Sequence, residues 1–258
     1  MTRRPPARWT PKSLLKTMAA ANLLLLPGLL CDASYWQPQI KGLGTRAQCL
    51  VADYGMADSL EAMARMALAQ ADAAGQHGPL AVAAHSMGGR VAFELLRIAP
   101  QRVERLALLD TGFHPFARGE AGDKERAGRM ALVRQGETEG MRAMGQVWAK
   151  GMVHPAHLHL PLFEDILQMI ERKSPAQFAA QQNALLTRRD ATPQLATITC
   201  PTLVLCGRED AWSGPPQHQV MHRAIAGSVL RIIEDCGHMC TLEQPEAVTQ
   251  ALAEWLVM

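Results

Sequence analysis

Aromatic side chains are scarce, 5% of the 258 residues with only two tyrosines, and long apolar runs are missing altogether. The longest, residues 23–30, is broken by Pro27 and Gly28 and falls far short of the roughly 20 residues a membrane helix needs, so no span is expected. Charge is sparse as well, at 19% with a net of +2. Acids are absent from the first sixteen positions, which hold Arg3, Arg4, Arg8, Lys12 and Lys16. Setting those five aside leaves 21 basic against 24 acidic residues, a net of −3. A body of that sign offers no footprint for nucleic acid. The six cysteines, Cys31, Cys49, Cys200, Cys206, Cys236 and Cys240, are too scattered for a disulfide framework and fit a reducing compartment, the cytoplasm. Residues 1–21 read as a loose basic extension. An export signal or transit peptide is the alternative, but Lys12 and Lys16 interrupt the place where an apolar signal core would lie.

What is present is a 48% hydrophobic chain of a length suited to one large domain. Short apolar runs at 22–26, 48–52, 80–84, 106–110, 202–206 and 229–234 alternate with helix-like periodicity at 34–43, 59–73, 87–99, 216–226 and 245–257. Near-continuous apolar runs suit strands buried on both faces, and the alternation predicts an α/β fold. Its mostly parallel sheet has about six strands, with helices on both faces. From 112 to 199 no strand is expected, only helices near 123–135, 138–150, 162–173 and 175–188. This stretch reads as a helical lid inserted in a core made of residues 22–111 and 200–258.

The segment Ala84-His85-Ser86-Met87-Gly88 puts a hydroxyl where the third strand must turn sharply into a helix. A serine alone is a poor nucleophile and needs a base held by a third group. Asp210 in GREDAW and His238 in DCGHMC each follow a later strand. Polar residues leaving parallel strands at their C-terminal ends share one edge of the sheet, where open α/β folds bind ligands. Asp110, at the end of LALLD, competes for the role of the acid. His85 is adjacent to the serine in sequence but is expected on the opposite side of the turn.

The Ser86 segment resembles the nucleophile elbow G-x-S-x-G of α/β-hydrolases, with alanine for the first glycine. With Asp210 and His238 following in that family's order, the chain is similar to capped serine hydrolases of the carboxylesterase and C–C hydrolase type. The likeness runs from residue 22 to 257. It implies a Ser86, His238, Asp210 triad, and an oxyanion hole from the N–H groups of Leu29 and Met87, since LLLPGLLCD resembles the family's strand-to-loop segment with Pro27 in place of a histidine. Where the family usually opens with a β-hairpin, residues 1–21 hold three prolines and no alternating pattern, so that hairpin is expected to be absent or replaced.

Substrate contacts are expected from Leu30, Trp148, Trp212 and Met239. The Met141, Met144, Trp148, Met152 stripe on the second lid helix serves either as plain core or as an adaptable apolar wall. His154, His157 and His159 lack metal-ligand spacing. Cys236 and Cys240 flank His238 with too few ligands for zinc, although Cys240 reads as an oxidisable thiol. No metal or cofactor is expected. The partner is a small molecule, and a homodimer is left open. The first reading is hydrolysis of a small to medium, mainly apolar carboxylic ester, because the lid looks apolar. The second is C–C cleavage of a diketone-like acid, which a basic residue in the pocket, Arg90 or Arg188, would favour. A non-catalytic small-molecule receptor on the same fold is the rival of a different class.

Overall fold

Side chains along the first strand, β1 (Ala21–Leu26), divide by parity: Leu23 and Leu25 join one apolar cluster, Leu24 and Leu26 another. All four are fully buried, as a central strand covered on both faces requires. In a computed structural model describing residues 20–258, the chain continues through α1 (Ala33–Leu43), β2 (Ala47–Val51), α2 (Leu60–Ala73), β3 (Leu80–His85), α3 (Met87–Ile98) and β4 (Val103–Leu109). Next come α4 (Glu120–Thr138), α5 (Met141–Trp148), α6 (Pro161–Glu171), α7 (Pro175–Leu186) and α8 (Thr192–Leu195). The strands resume with β5 (Thr202–Gly207), then α9 (Pro215–Ala224), β6 (Val229–Ile233), α10 (Cys240–Glu243) and α11 (Pro245–Trp255). Residues 1–19 of the basic extension, and the reading of an absent or replaced hairpin, lie outside the described residues.

The six strands form one sheet in the order β2-β1-β3-β4-β5-β6, and every pair is parallel. Tyr35 and Trp36 of α1 and Val248, Leu252 and Trp255 of α11 pack on one face. Met63, Ala64 and Ala67 of α2 and Val91 and Leu95 of α3 pack on the other. Local caps fix the helix starts: Asp32 accepts from the Ser34 N–H, Ser59 from Ala62, and Ser174 with Gln177 forms a capping box. The chain winds from β1 outward to β2, then crosses back to β3 and onward to β6. The loops after β1 and β3 therefore diverge, and a crevice opens between them at the C-terminal edge.

Between β4 and β5 the described residues hold five helices and no strand. Val133, Met141, Met144, Ile166 and Phe178 of these helices belong to the same cluster as Leu23, Leu25, Leu109 and Leu205 of the sheet, and Ala184, Leu185 and Leu195 to the cluster on its other face. No helix among the described residues is long and apolar enough to cross a membrane.

Candidate active site

The turn between β3 and α3 carries Ser86 at φ 52°, ψ −115°, a conformation that costs energy in a residue with a side chain and lifts Oγ clear of the sheet. Its surroundings leave no room for anything but glycine behind it. A Cβ on Gly88 would come 2.1 Å from the Leu26 carbonyl oxygen, and one on Gly89 would come 2.4 Å from Thr111 Oγ1. The Ser86 N–H donates to the Leu109 carbonyl and the Thr111 hydroxyl donates to the Ser86 carbonyl, so the strained turn is tied to the end of β4 and to the loop that follows it.

Loops after β5 and β6 bring the other two groups to this point. His238 Nε2 lies 2.9 Å from Ser86 Oγ, and its Nδ1 lies 2.8 Å from Asp210 Oδ2. The other oxygen of Asp210 accepts the N–H groups of Trp212 and Ser213, which fixes the carboxylate plane. Burial opposes the charge on Asp210, but the imidazole, its hydrogen bond and those two N–H donors outweigh it and hold the carboxyl down to about 2. Burial likewise works against a charged His238. Asp210 overcomes it, and the ring's pKa ends above its ordinary value.

Asp110, the competing acid, is fully buried and accepts the Gly207 N–H through Oδ1, while His238 turns its Nδ1 to Asp210. Burial, with Asp210 nearby, pushes the Asp110 carboxyl well above its ordinary value.

His85 corrects the sequence reading that set it apart. Its ring lies 5.1 Å from that of His238 and 4.3 Å from that of Tyr35, and its Nε2 is 2.9 Å from the His238 carbonyl oxygen. Since that carbonyl only accepts, Nε2 carries the proton. Burial, then His238, drives the His85 pKa down to about 3, which keeps the ring neutral. The contact spans 153 positions of sequence, and no local pattern signals it.

Ser86, His85 and His238 open on a cavity of about 750 Å³. Leu29 and Met87 line it too, and among the described residues no protein acceptor takes up either N–H. Trp148, Trp212 and Met239 also lie in the wall. Trp212 stands between the Trp148 ring at 5.5 Å and the His238 ring at 5.1 Å. Leu30, expected at the substrate, is instead fully buried outside the wall. Its φ of 60° turns the side chain into the core, and its N–H donates to Gln181. Cys240 is also fully buried, and burial together with Asp110 raises its thiol far above the ordinary range, so it is no reactive thiol. Among the described residues no group of three or more His, Cys, Asp or Glu is arranged to hold a metal ion.

The wall is not apolar throughout. The stretch between β4 and β5 contributes Lys124, Glu125 and Arg129 from α4 and Arg188 just beyond α7, and α3 contributes Arg90. Glu125 bonds both Arg129 and Arg188, and although burial opposes its charge, those two guanidiniums hold it down to about 2. Arg90 has no carboxylate partner among the described residues. Its Nη1 donates to the His114 carbonyl, and burial, then Arg188 and Arg129, lowers its pKa to about 9. Four basic side chains thus face one acid at this end. The sequence held a signal for it: Ala121, Glu125 and Arg129, with Lys124, Gly128 and Leu132, recur at four-residue spacing along one side of α4.

Known proteins share this arrangement of strands and loops. Residues 23–251 match the profile of the Alpha/beta hydrolase family. A thermophilic esterase from Thermogutta terrifontis superposes with a TM-score of 0.84 at 30% identity, over 93% of this chain and 90% of that one. An enol-lactonase from Burkholderia xenovorans superposes at 0.80 with 22% identity, over 93% and 92%, a likeness of fold. A 2-hydroxy-6-oxononadienedioate/2-hydroxy-6-oxononatrienedioate hydrolase from Escherichia coli is 27% identical over 191 residues, which make up 67% of this chain and 60% of that relative's length.

Proposed function

The chain belongs to the alpha/beta hydrolase family, and on that premise we propose that it is a serine hydrolase that cleaves carboxylic esters through an acyl-enzyme. The observation that carries the reading is the continuous relay from Ser86 Oγ through both nitrogens of His238 to Asp210, beside a cavity lined by Ser86, His238, Leu29 and Met87. In this reading His238 Nε2 takes the hydroxyl proton as Oγ attacks the ester carbonyl carbon. Asp210 holds the Nδ1–H tautomer and stabilises the imidazolium without itself taking the proton. The oxygen that becomes negative is received by the N–H groups of Leu29 and Met87. Losing one such donor typically costs about 3–4 kcal/mol of barrier. His238 then gives its proton to the departing alkoxide. A water deprotonated by the same ring attacks the acyl carbon, and the acid leaves as Ser86 regains its proton.

The aromatic and methionine side of the cavity suits an apolar part of a small to medium substrate, Trp148, Trp212, Met152 and Met239 forming its wall. The basic side suits an acidic group. Arg90, cationic and without a carboxylate partner among the described residues, favours a second reading that uses the same relay: C–C cleavage of a diketone-like acid, the bond class suggested by the Escherichia coli relative.

A fluorophosphonate probe tests the shared chemistry. The native protein should label and Ser86→Ala should not; no labelling, or equal labelling of both, would favour a non-catalytic receptor. A series of p-nitrophenyl esters, neutral and carboxylate-bearing, then separates the readings. Turnover of the series supports ester hydrolysis, and a labelled protein that turns over none of it points to the C–C substrate.

A further inference from the structure

One buried carboxylate next to the relay has no part in it. Glu243 ends α10 with its side chain fully buried. Its Oε1 accepts the N–H groups of Gly237 and of Met239, each at 3.1 Å, and these are the residues on either side of His238. Its Oε2 accepts the His154 N–H at 2.8 Å and meets His157 Nδ1 at 2.9 Å, both in the segment that joins α5 to α6. The His238 N–H donates across the same seam to the Met152 carbonyl at 2.6 Å. The fit is tight: a Cβ on Gly237 would stand 2.7 Å from both His154 N and Met152 O. Burying a carboxylate is costly unless donors surround it, and four donors from two distant segments surround this one.

We propose that Glu243 is a positioning residue, which locks the loop carrying His238 to the 152–157 segment of the insertion, so that one carboxylate sets both the aim of the imidazole and the Met152 wall of the cavity. The proposal rests on reading His238 as the base. Among the described residues no other oxygen holds the amides on both sides of that residue, and the seam joins the β6 loop to the helices between β4 and β5. A change in the insertion is therefore felt at the imidazole through one side chain.

Two variants test it, Glu243→Ala, which removes every bond, and Glu243→Gln, which keeps the shape and an acceptor but loses the charge. The groups facing the His238 ring are Asp210 at Nδ1, Ser86 at Nε2, neutral His85 and Trp212 beside it, and the nearby carboxyl groups of Asp110 and Glu243, both of which raise its pKa. Glu243 thus favours the imidazolium. With p-nitrophenyl butyrate, and rates counted per site titrated by a fluorophosphonate, Glu243→Ala should lose about tenfold or more in kcat with KM held within about threefold. Glu243→Gln should move the acid limb of kcat/KM to lower pH, which a purely structural role would not do. Wild-type kcat per titrated site in both variants, or a Gln variant whose limb coincides with wild type, overturns the proposal. If the Ala variant does not fold, the Gln limb decides. Wild-type protein that fails to label would strike the catalytic reading itself and this proposal with it.

Discussion

At the scale of single residues, the chemistry depends on which protonation states the fold allows. In the proposed reaction His238 accepts a proton from Ser86 only when neutral, and its partner Asp210 raises its pKa above the ordinary 6.5. Activity is therefore lost as pH falls through that raised value and recovered above it. Steady-state kcat/KM measured against pH should show an acid limb with an apparent pKa above that of free imidazole. A limb below it would mean that Asp210 is not holding the ring. The neighbouring His85 adds no second step near neutrality, because burial drives it to about 3. Asp110 and Asp210 look interchangeable in sequence, since both follow strands at the same edge. What separates them is three-dimensional: the Trp212 and Ser213 amides and the imidazole compensate one carboxylate, while Asp110 has one amide and an oxygen without a partner.

At the scale of elements, the elbow between β3 and α3 is held by a contact with no slack. Gly88→Ala would press a methyl group against the Leu26 carbonyl, and backbone does not step aside as a flexible side chain does. The expected cost is about 3 kcal/mol, a fall in Tm of roughly 6–12 °C for a chain of this size. Calorimetry of the variant checks this, and an unchanged Tm would show that β1 and α3 can separate. The strands were readable from sequence because burial on both faces leaves nearly unbroken apolar runs. Where an exposed residue interrupts, the reading fell short: β4 starts at Val103, three residues before the apolar run, because Glu104 is exposed and Arg105 only half-buried. The short helices α8 and α10 are below the length at which a period shows. The basic wall escaped the expectation of an apolar lid for a related reason. Lys124, Glu125 and Arg129 look like the solvated face of α4, and only the fold turns that face to a cavity. The loops after β3, β5 and β6 were legible as a set, whereas the His85 and Glu243 contacts, made across long sequence separations, were not.

At the scale of the whole molecule, the helices between β4 and β5 do not have a core of their own. Phe178, Met144 and Ile166 pack in one continuous cluster with Leu25, Leu109 and Trp36, and Glu243 adds a polar seam to the same junction. Folding of the two parts should be coupled, giving a single endotherm in scanning calorimetry with fluorescence and far-UV dichroism melting together. Two resolved transitions would assign the insertion its own stability. The shared cluster also limits how such a protein can change its diet. The side chains that shape what enters the cavity are continuous with those that keep the sheet covered, so a new preference for substrate has to be won from the same atoms that keep the molecule folded, and variants with altered selectivity should often surface first as variants with altered melting.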